Sequence, residues 1–253
     1  MKKQELLDRI KEFCLFDDDF MSKVFEDNEE GIELLLHIIM EIPELRVIRA
    51  RTQYSIKNLL GRSARLDIDA VDTEGKKYNI EVQRADKGAG VKRARYNSSL
   101  IDANSLLPGE DYDHLPETYV IFITENDVLG EDKPIYHIER VIQETGQNFN
   151  DEEHIIYVNG TYRGDTPLGK LMHDFSCKNP DDMYYKILAD CTRYYKQDEK
   201  GVDAMCRIME ELIDGEKKES AVRLLKLGKL SDEEIAIGLG LDIEVVKTLK
   251  VEL

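Results

Sequence analysis

Between Ser63 and Arg84 the chain alternates apolar and polar residues in two short runs separated by a turn. In SARLDIDAVD, Leu66, Ile68 and Ala70 hold even positions, while Arg65, Asp67 and Asp69 hold odd ones. In KYNIEVQR, Ile80 and Val82 are even, and Asn79, Glu81 and Gln83 odd. A period of two sends successive side chains to opposite faces of a β-strand. The intervening TEG is polar and supplies a glycine for positive φ. Only an odd-length loop sets apolar against apolar across such a hairpin, because a one-residue slip exchanges the faces. A loop at 73–75 pairs Asp67 with Glu81, and a loop at 74–76 pairs Asp69 with Glu81. In either register the apolar rows share one face and the acidic row the other.

The elements around this hairpin follow from changes of period. Residues 1–45 read as two helices, with Leu6, Leu7 and Ile10 and then Ile32, Leu35, Leu36, Ile39 and Met40 at helical spacing. The acidic run Asp17–Asp19 marks the break between them. A first strand begins near residue 46. Helical spacing returns from 91 to 107. YVIFIT at 119–124, after Pro116 and before Asn126, reads as a strand buried on both faces. HIIYVN at 154–159 is a second such strand, ended by Gly160. From Leu168 onward the pattern is helical, with KNPDD at 178–182 and DGEKKE at 214–219 as linkers. The order is helix, three strands, helix, strand, a connecting segment, strand and helical tail, which makes the fold class α/β (mixed) with a central sheet.

Several function classes drop out. The formal net charge of −17 argues against indiscriminate coating of nucleic acid or anionic lipid. The longest apolar runs, such as YVIFI at 119–123, fall far short of the ~20 residues that span a bilayer, so no membrane association is expected. The amino-terminal MKKQELLDRIKEF interleaves charge with apolar residues and has no signal-peptide core. Cys14, Cys177, Cys191 and Cys206 form no CxxC pair, which disfavours a zinc ribbon or a disulfide scaffold and suggests a reduced, cytoplasmic protein. The histidines show neither HxH nor HExxH spacing. Ser98 and Ser99 lie within a helix and lack a nucleophile elbow. Gly88 and Gly90 make neither a P-loop nor a dinucleotide fingerprint.

The acidic row carries the chemistry. A hard cation such as Mg²⁺ prefers oxygen ligands, takes one or two protein carboxylates and keeps several waters. Asp67 and Glu81, projected side by side from adjacent strands, meet that need, with Asp69 as a neighbour for a second ion or a metal-bound water. Gln83 points into the same pocket as a hydrogen-bonding group for water or phosphate. The competing reading is the ordinary alternation of a half-solvated antiparallel hairpin. Positive charge follows immediately: Arg84, Lys87, Lys92, Arg93 and Arg95 lie within twelve residues, with Tyr96 beside them.

Asp67, followed by Glu81-x-Gln83 at the end of an apolar strand, resembles the PD-(D/E)XK nuclease signature with glutamine in place of lysine. RLDIDAVDTEGKKYNIEVQRA, KRARYNSSLID, YVIFITENDVLGEDKPIYHIER and HIIYVNG, in that order, resemble the PD-(D/E)XK nuclease family transposases, also called recombination-promoting nucleases. The resemblance covers about residues 20–200. It implies a restriction-endonuclease-like core of α-β-β-β-α-β order over residues 1–177, amino-terminal helices included, and a helical extension over 178–253. It implies a metal-dependent DNA endonuclease in which Asp67 and Glu81 bind Mg²⁺ or Mn²⁺ and Gln83 stands where lysine orients water and phosphate. Arg84, Lys92, Arg93, Arg95 and Tyr96 would then meet the DNA. Glu33 and Glu41 are candidates for an acid supplied by the first helix. Cutting both strands would commonly require two sites, hence a homodimer. The alternative is a nuclease-fold module that binds nucleic acid or a protein partner without cutting.

The tail adds a capping-box order at Ser231–Glu234 and a tight GLGLD turn before Ile243, Val246 and Leu249, which resembles a helix-turn-helix within 216–253. Seven basic and eight acidic residues there favour a protein-contact or dimerising tail over a DNA reader. The chain's one net-positive stretch is 51–110, with eleven basic and eight acidic residues. It holds both the candidate metal acids and the arginine-rich segment, so the acidic total leaves room for a local DNA site of salt-sensitive affinity.

Overall fold

The hairpin adopts the first of the two registers. In this computed structural model, which describes residues 3–58, 61–84, 88–251 and 253, β2 (Ala64–Asp72) and β3 (Lys77–Gln83) pair antiparallel. The ladder runs from Val71–Lys77 to Ile68–Ile80, which sets Asp67 across from Glu81. Gly75 turns at φ +86°, a conformation that costs glycine little. Asp72 secures the turn by accepting from the N–H groups of Glu74 and Lys76, both at 2.9 Å, and from the Tyr78 hydroxyl at 2.8 Å.

β1 (Val47–Ile56) pairs antiparallel with β2. β4 (Thr118–Thr124) runs parallel to β3, and β6 (Glu153–Asn159) parallel to β4. β5 (Ile135–Ile138) closes the far edge, giving the order β1-β2-β3-β4-β6-β5. β5 lies in the expected connecting segment. Its four residues are half-buried or exposed, so no burial alternation announced it. β4 is buried at every position, as a central parallel strand requires. Phe122 of β4 stacks on Tyr157 of β6 at 5.2 Å between centroids.

Three helices, not two, precede the sheet: α1 (Lys3–Glu12), α2 (Asp18–Phe25) and α3 (Glu29–Met40). The aspartate run starts a helix instead of only breaking one. Asp17 occupies the N-cap position and Asp18 and Asp19 the first turn, where the exposed N–H groups favour negative charge. Asn28 caps α3, its Oδ1 accepting from Gly31 N at 2.9 Å. α4 (Val91–Ala103) crosses from β3 to β4 and covers the sheet with Ala94, Leu100 and Ile101 against Val120, Phe122 and Tyr157. α5 (Pro167–Ser176) packs on α3, and its Phe175 meets Phe16 and Phe25 at centroid distances of 5.5 and 6.4 Å. Each fully buried phenylalanine stabilises the fold by about 2–3 kcal/mol. Gly160, after β6, has no room for a side chain: a Cβ there would lie 2.3 Å from Thr124 O and 2.6 Å from Phe16 Cζ. α6 spans Lys186–Gln197.

The chain divides into two compact units, Lys11–Lys196 and Met1–Ile10 with Gln197–Leu253. The first holds the sheet. In the second, α7 (Glu199–Leu227) runs unbroken through 214–219, where a linker was expected. Glu and Lys are good helix formers, and the single Gly215 costs only about 1 kcal/mol. α8 (Asp232–Leu239) and α9 (Ile243–Val251) join α7 around Ala221, Ile235, Ala236 and Val246. Ser231 and Glu234 form the anticipated capping box, and Gly240 makes the turn at φ +62°. Among the described residues no helix is long and apolar enough to cross a membrane.

Candidate active site

The acidic row is not a solvated face. Asp67 is 7 % exposed, Asp69 6 % and Glu81 fully buried, which overturns the half-solvated reading of the hairpin. Carboxylates are rarely buried without partners, so the question is what satisfies each one.

Beyond the Ile68–Ile80 pair the hairpin gives its hydrogen bonds to side chains. Val82 N donates to Asp67 Oδ2 at 2.9 Å, and Gln83 Nε2 lies 3.4 Å from the same oxygen. Asn79 Nδ2 donates to Glu81 Oε1 at 3.0 Å. Asn97 of α4 in turn donates to Asn79 Oδ1 at 3.3 Å. Arg93, in the first turn of α4, donates through Nη2 to Glu81 Oε2 and through Nη1 to Gln83 Oε1 at 3.2 Å. The network thus runs from α4 through both strands at the carboxyl end of β3.

Burial and the neighbouring charge of Glu81 push the Asp67 pKa up to about 7. Burial also raises that of Glu81, against the pull of Arg93 and the hydrogen bond from Asn79. Two acids held side by side and reluctant to ionise together are a site that a cation would relieve. Asp67 opens into a cleft of about 400 Å³ lined also by Asp17, Asp18, Gln53, Arg65, Gln83, Arg84 and Arg93.

Asp17 and Asp18 are the site residues that sequence reasoning passed over. Glu33 and Glu41 do not line the cleft. Glu33 accepts from Val47 N at 2.8 Å, and Glu41 ends α3 at φ +56°. Asp18 instead comes from the first turn of α2, and Gln53 Nε2 holds its Oδ1 at 2.7 Å. Gln53 has a left-handed backbone, φ +53°, in the middle of β1. Such strain in a non-glycine residue marks functional sites more often than neutral ones.

The other expected residues fall in different places. Arg84 rims the cleft, paired with Asp17 and 3.8 Å from Glu125. Lys92 and Arg95 are exposed on α4. The Tyr96 hydroxyl donates to Arg62 O and does not line the cleft. Asp69 turns toward Arg49, 3.6 Å away, and its buried Oδ2 has no hydrogen-bond partner among the described residues. Lys87 lies outside the described residues.

Among the described residues that line the cleft, the side chains able to ligate a metal are carboxylates and amides, with no histidine or cysteine, and oxygen ligands are the preference of hard divalent ions. Among the described residues no group of three or more His, Cys, Asp or Glu side chains could hold a metal ion. The Asp67–Glu81 pair is nevertheless the number of carboxylates that a hydrated Mg²⁺ takes, so the residues present fit the ion.

A six-stranded mixed sheet with helices before and across it, and a carboxylate pair at the end of its hairpin, defines a restriction-endonuclease-like α/β core with a carboxy-terminal helical extension. The chain belongs to the PD-(D/E)XK nuclease family transposases, whose model matches residues 19–160, from the first turn of α2 through β6. Membership supports association with nucleic acid and places the chain in a superfamily that often uses divalent metal ions. Neither a curated protein nor a solved structure matches the chain significantly.

Proposed function

We propose that the protein is a Mg²⁺- or Mn²⁺-dependent DNA endonuclease of the recombination-promoting type. The observation that carries this reading is the Asp67–Glu81 pair, buried in register beside an arginine. When bound there, the metal ion would polarise a phosphoryl oxygen, lower the pKa of a water and stabilise the leaving oxygen. Asp67 and Glu81 would hold the ion; Asp18 lines the same cleft from α2, and Asp69, beside Arg49, is a carboxylate for a metal-bound water. Gln83 orients water or phosphate by hydrogen bonding; having no ionisable proton, it cannot serve as a general acid. Arg84, Lys92, Arg93 and Arg95 contact the DNA backbone, where planar guanidinium groups match phosphate. Tyr96 supports that surface by anchoring Arg62.

The core over 1–177 performs the chemistry, as a homodimer where both strands are cut, in the cytoplasm. The extension over 178–253, with its helix-turn-helix at 216–253, makes protein contacts. Lys247 and Lys250 of α9 are engaged by Glu244 and Asp232, which supports that role over DNA reading.

The second reading, a nuclease-fold module that binds without cutting, draws support from Gln83, which removes a cation from the centre. Cleavage of supercoiled DNA in Mg²⁺ or Mn²⁺ separates the two. The chain should nick DNA and an Asp67→Ala, Glu81→Ala double variant should not; equal cleavage by both would remove catalysis from the account.

A further inference from the structure

Arg93 stands between the cleft and Glu81. The cleft is lined by Asp67, Gln83 and Arg93 but not by Glu81, which is wholly buried. Oε1 of Glu81 is engaged by Asn79, and Oε2 by Arg93 Nη2. Arg93 Nη1 meanwhile donates to Gln83 Oε1 at 3.2 Å and to Gly88 O at 3.0 Å. Its side chain is nonetheless 39 % exposed, so it has a way out. Its position at the start of α4 is electrostatically poor, because helix N-termini disfavour cations. Glu81 is the carboxylate that offsets this.

We propose that Arg93 is a resident counter-cation: it caps Glu81 in the metal-free protein and passes to a DNA phosphate when a divalent cation takes Glu81. This rests on the nuclease reading above and deepens it. A divalent ion held by Asp67 and Glu81 would compete with the guanidinium for Glu81 Oε2, and like charges close together repel strongly away from bulk water. Arg93 would therefore leave Glu81 once the two carboxylates held an ion. The freed fork of N–H donors fits a phosphate, and Gln83, relieved of Arg93 at its Oε1, becomes available to a water. A lysine at position 83 would be fixed on the strand; an arginine on the helix supplies the charge only after the metal has arrived. Metal and DNA binding are coupled by this exchange, each favouring the other.

Mn²⁺ alone, titrated into the whole chain and followed by electron paramagnetic resonance, tests the exchange without DNA or turnover. Arg93→Gln should bind Mn²⁺ on the order of tenfold tighter than the parent, the factor that one charge-assisted hydrogen bond represents. Arg93→Lys, which keeps the charge and loses the fork, should fall between them and serves if the glutamine variant does not fold. A short DNA duplex gives the second readout. Arg93→Gln should weaken binding in Ca²⁺ and leave it unchanged in EDTA, where Arg93 is committed to Glu81. Mn²⁺ binding by the parent with no tightening in either variant overturns the exchange and leaves the nuclease reading standing. Absence of Mn²⁺ binding in all three proteins overturns both.

Discussion

Replacing Asp67 with asparagine should stabilise the metal-free protein, and chiefly where the native carboxylate would be ionised. The Asp67 pKa is pushed up to about 7 by burial and by Glu81, against about 3.9 for a free aspartate. Between those values the folded protein holds a proton that the unfolded chain has released. A raised folded-state value means that stability is fully present below about pH 4, falls as pH rises to about 7, and is level above. At about 1.4 kcal/mol per pH unit, the ionised carboxylate costs about 4 kcal/mol at pH 8. Asparagine keeps an acceptor for Val82 N but brings an amide without an evident partner, worth about 1 kcal/mol against it. Urea denaturation in EDTA should therefore find Asp67→Asn more stable by about 3 kcal/mol at pH 8 and within about 1 kcal/mol of the parent at pH 4.5. Mn²⁺ at about a thousand times its Kd should reverse the order, since it adds about 4.1 kcal/mol to the form that binds it. Parallel pH profiles, or a variant weakened at pH 8, would refute the claim that the pair is electrostatically strained.

Gln53→Gly should relieve a left-handed backbone worth about 1 kcal/mol while releasing Asp18. Urea denaturation should show equal or higher stability and a plasmid assay slower nicking; lost stability with full nicking would make Gln53 purely structural. Duplex affinity measured in Ca²⁺ should fall between 50 and 200 mM salt, with a log–log slope of about −0.9 for each phosphate contacted. Arg84→Gln should shallow that slope by about one. A flat salt dependence would remove the arginine-lined rim as a DNA contact.

What the sequence made legible was the hairpin. A period of two, together with loop parity, narrowed the pairing to two registers, and the Ile68–Ile80 ladder is one of them. The depth of Asp67 and Glu81 was not legible, because alternation reports which residues share a face and not what covers it. The aspartates at 17–19 read as a break since the same residues serve loops and helix starts; the place of Asp17 and Asp18 in the cleft with Asp67 depends on tertiary packing. Gln53 gave no sign at all, its strain being a property of the folded backbone. Arg93 carried an unread signal. Basic residues in the first turn of a helix oppose the helix dipole, and a nearby carboxylate is the ordinary compensation.

The function proposed for this protein depends on Asp67 and Glu81 acting as one metal site. A crystal of this chain soaked in Mn²⁺ tests it most directly, through the anomalous signal of the ion. A peak is expected between the Asp67 and Glu81 carboxylates, with Arg93 drawn away from Glu81. A peak elsewhere, or none at saturating Mn²⁺, would contradict it.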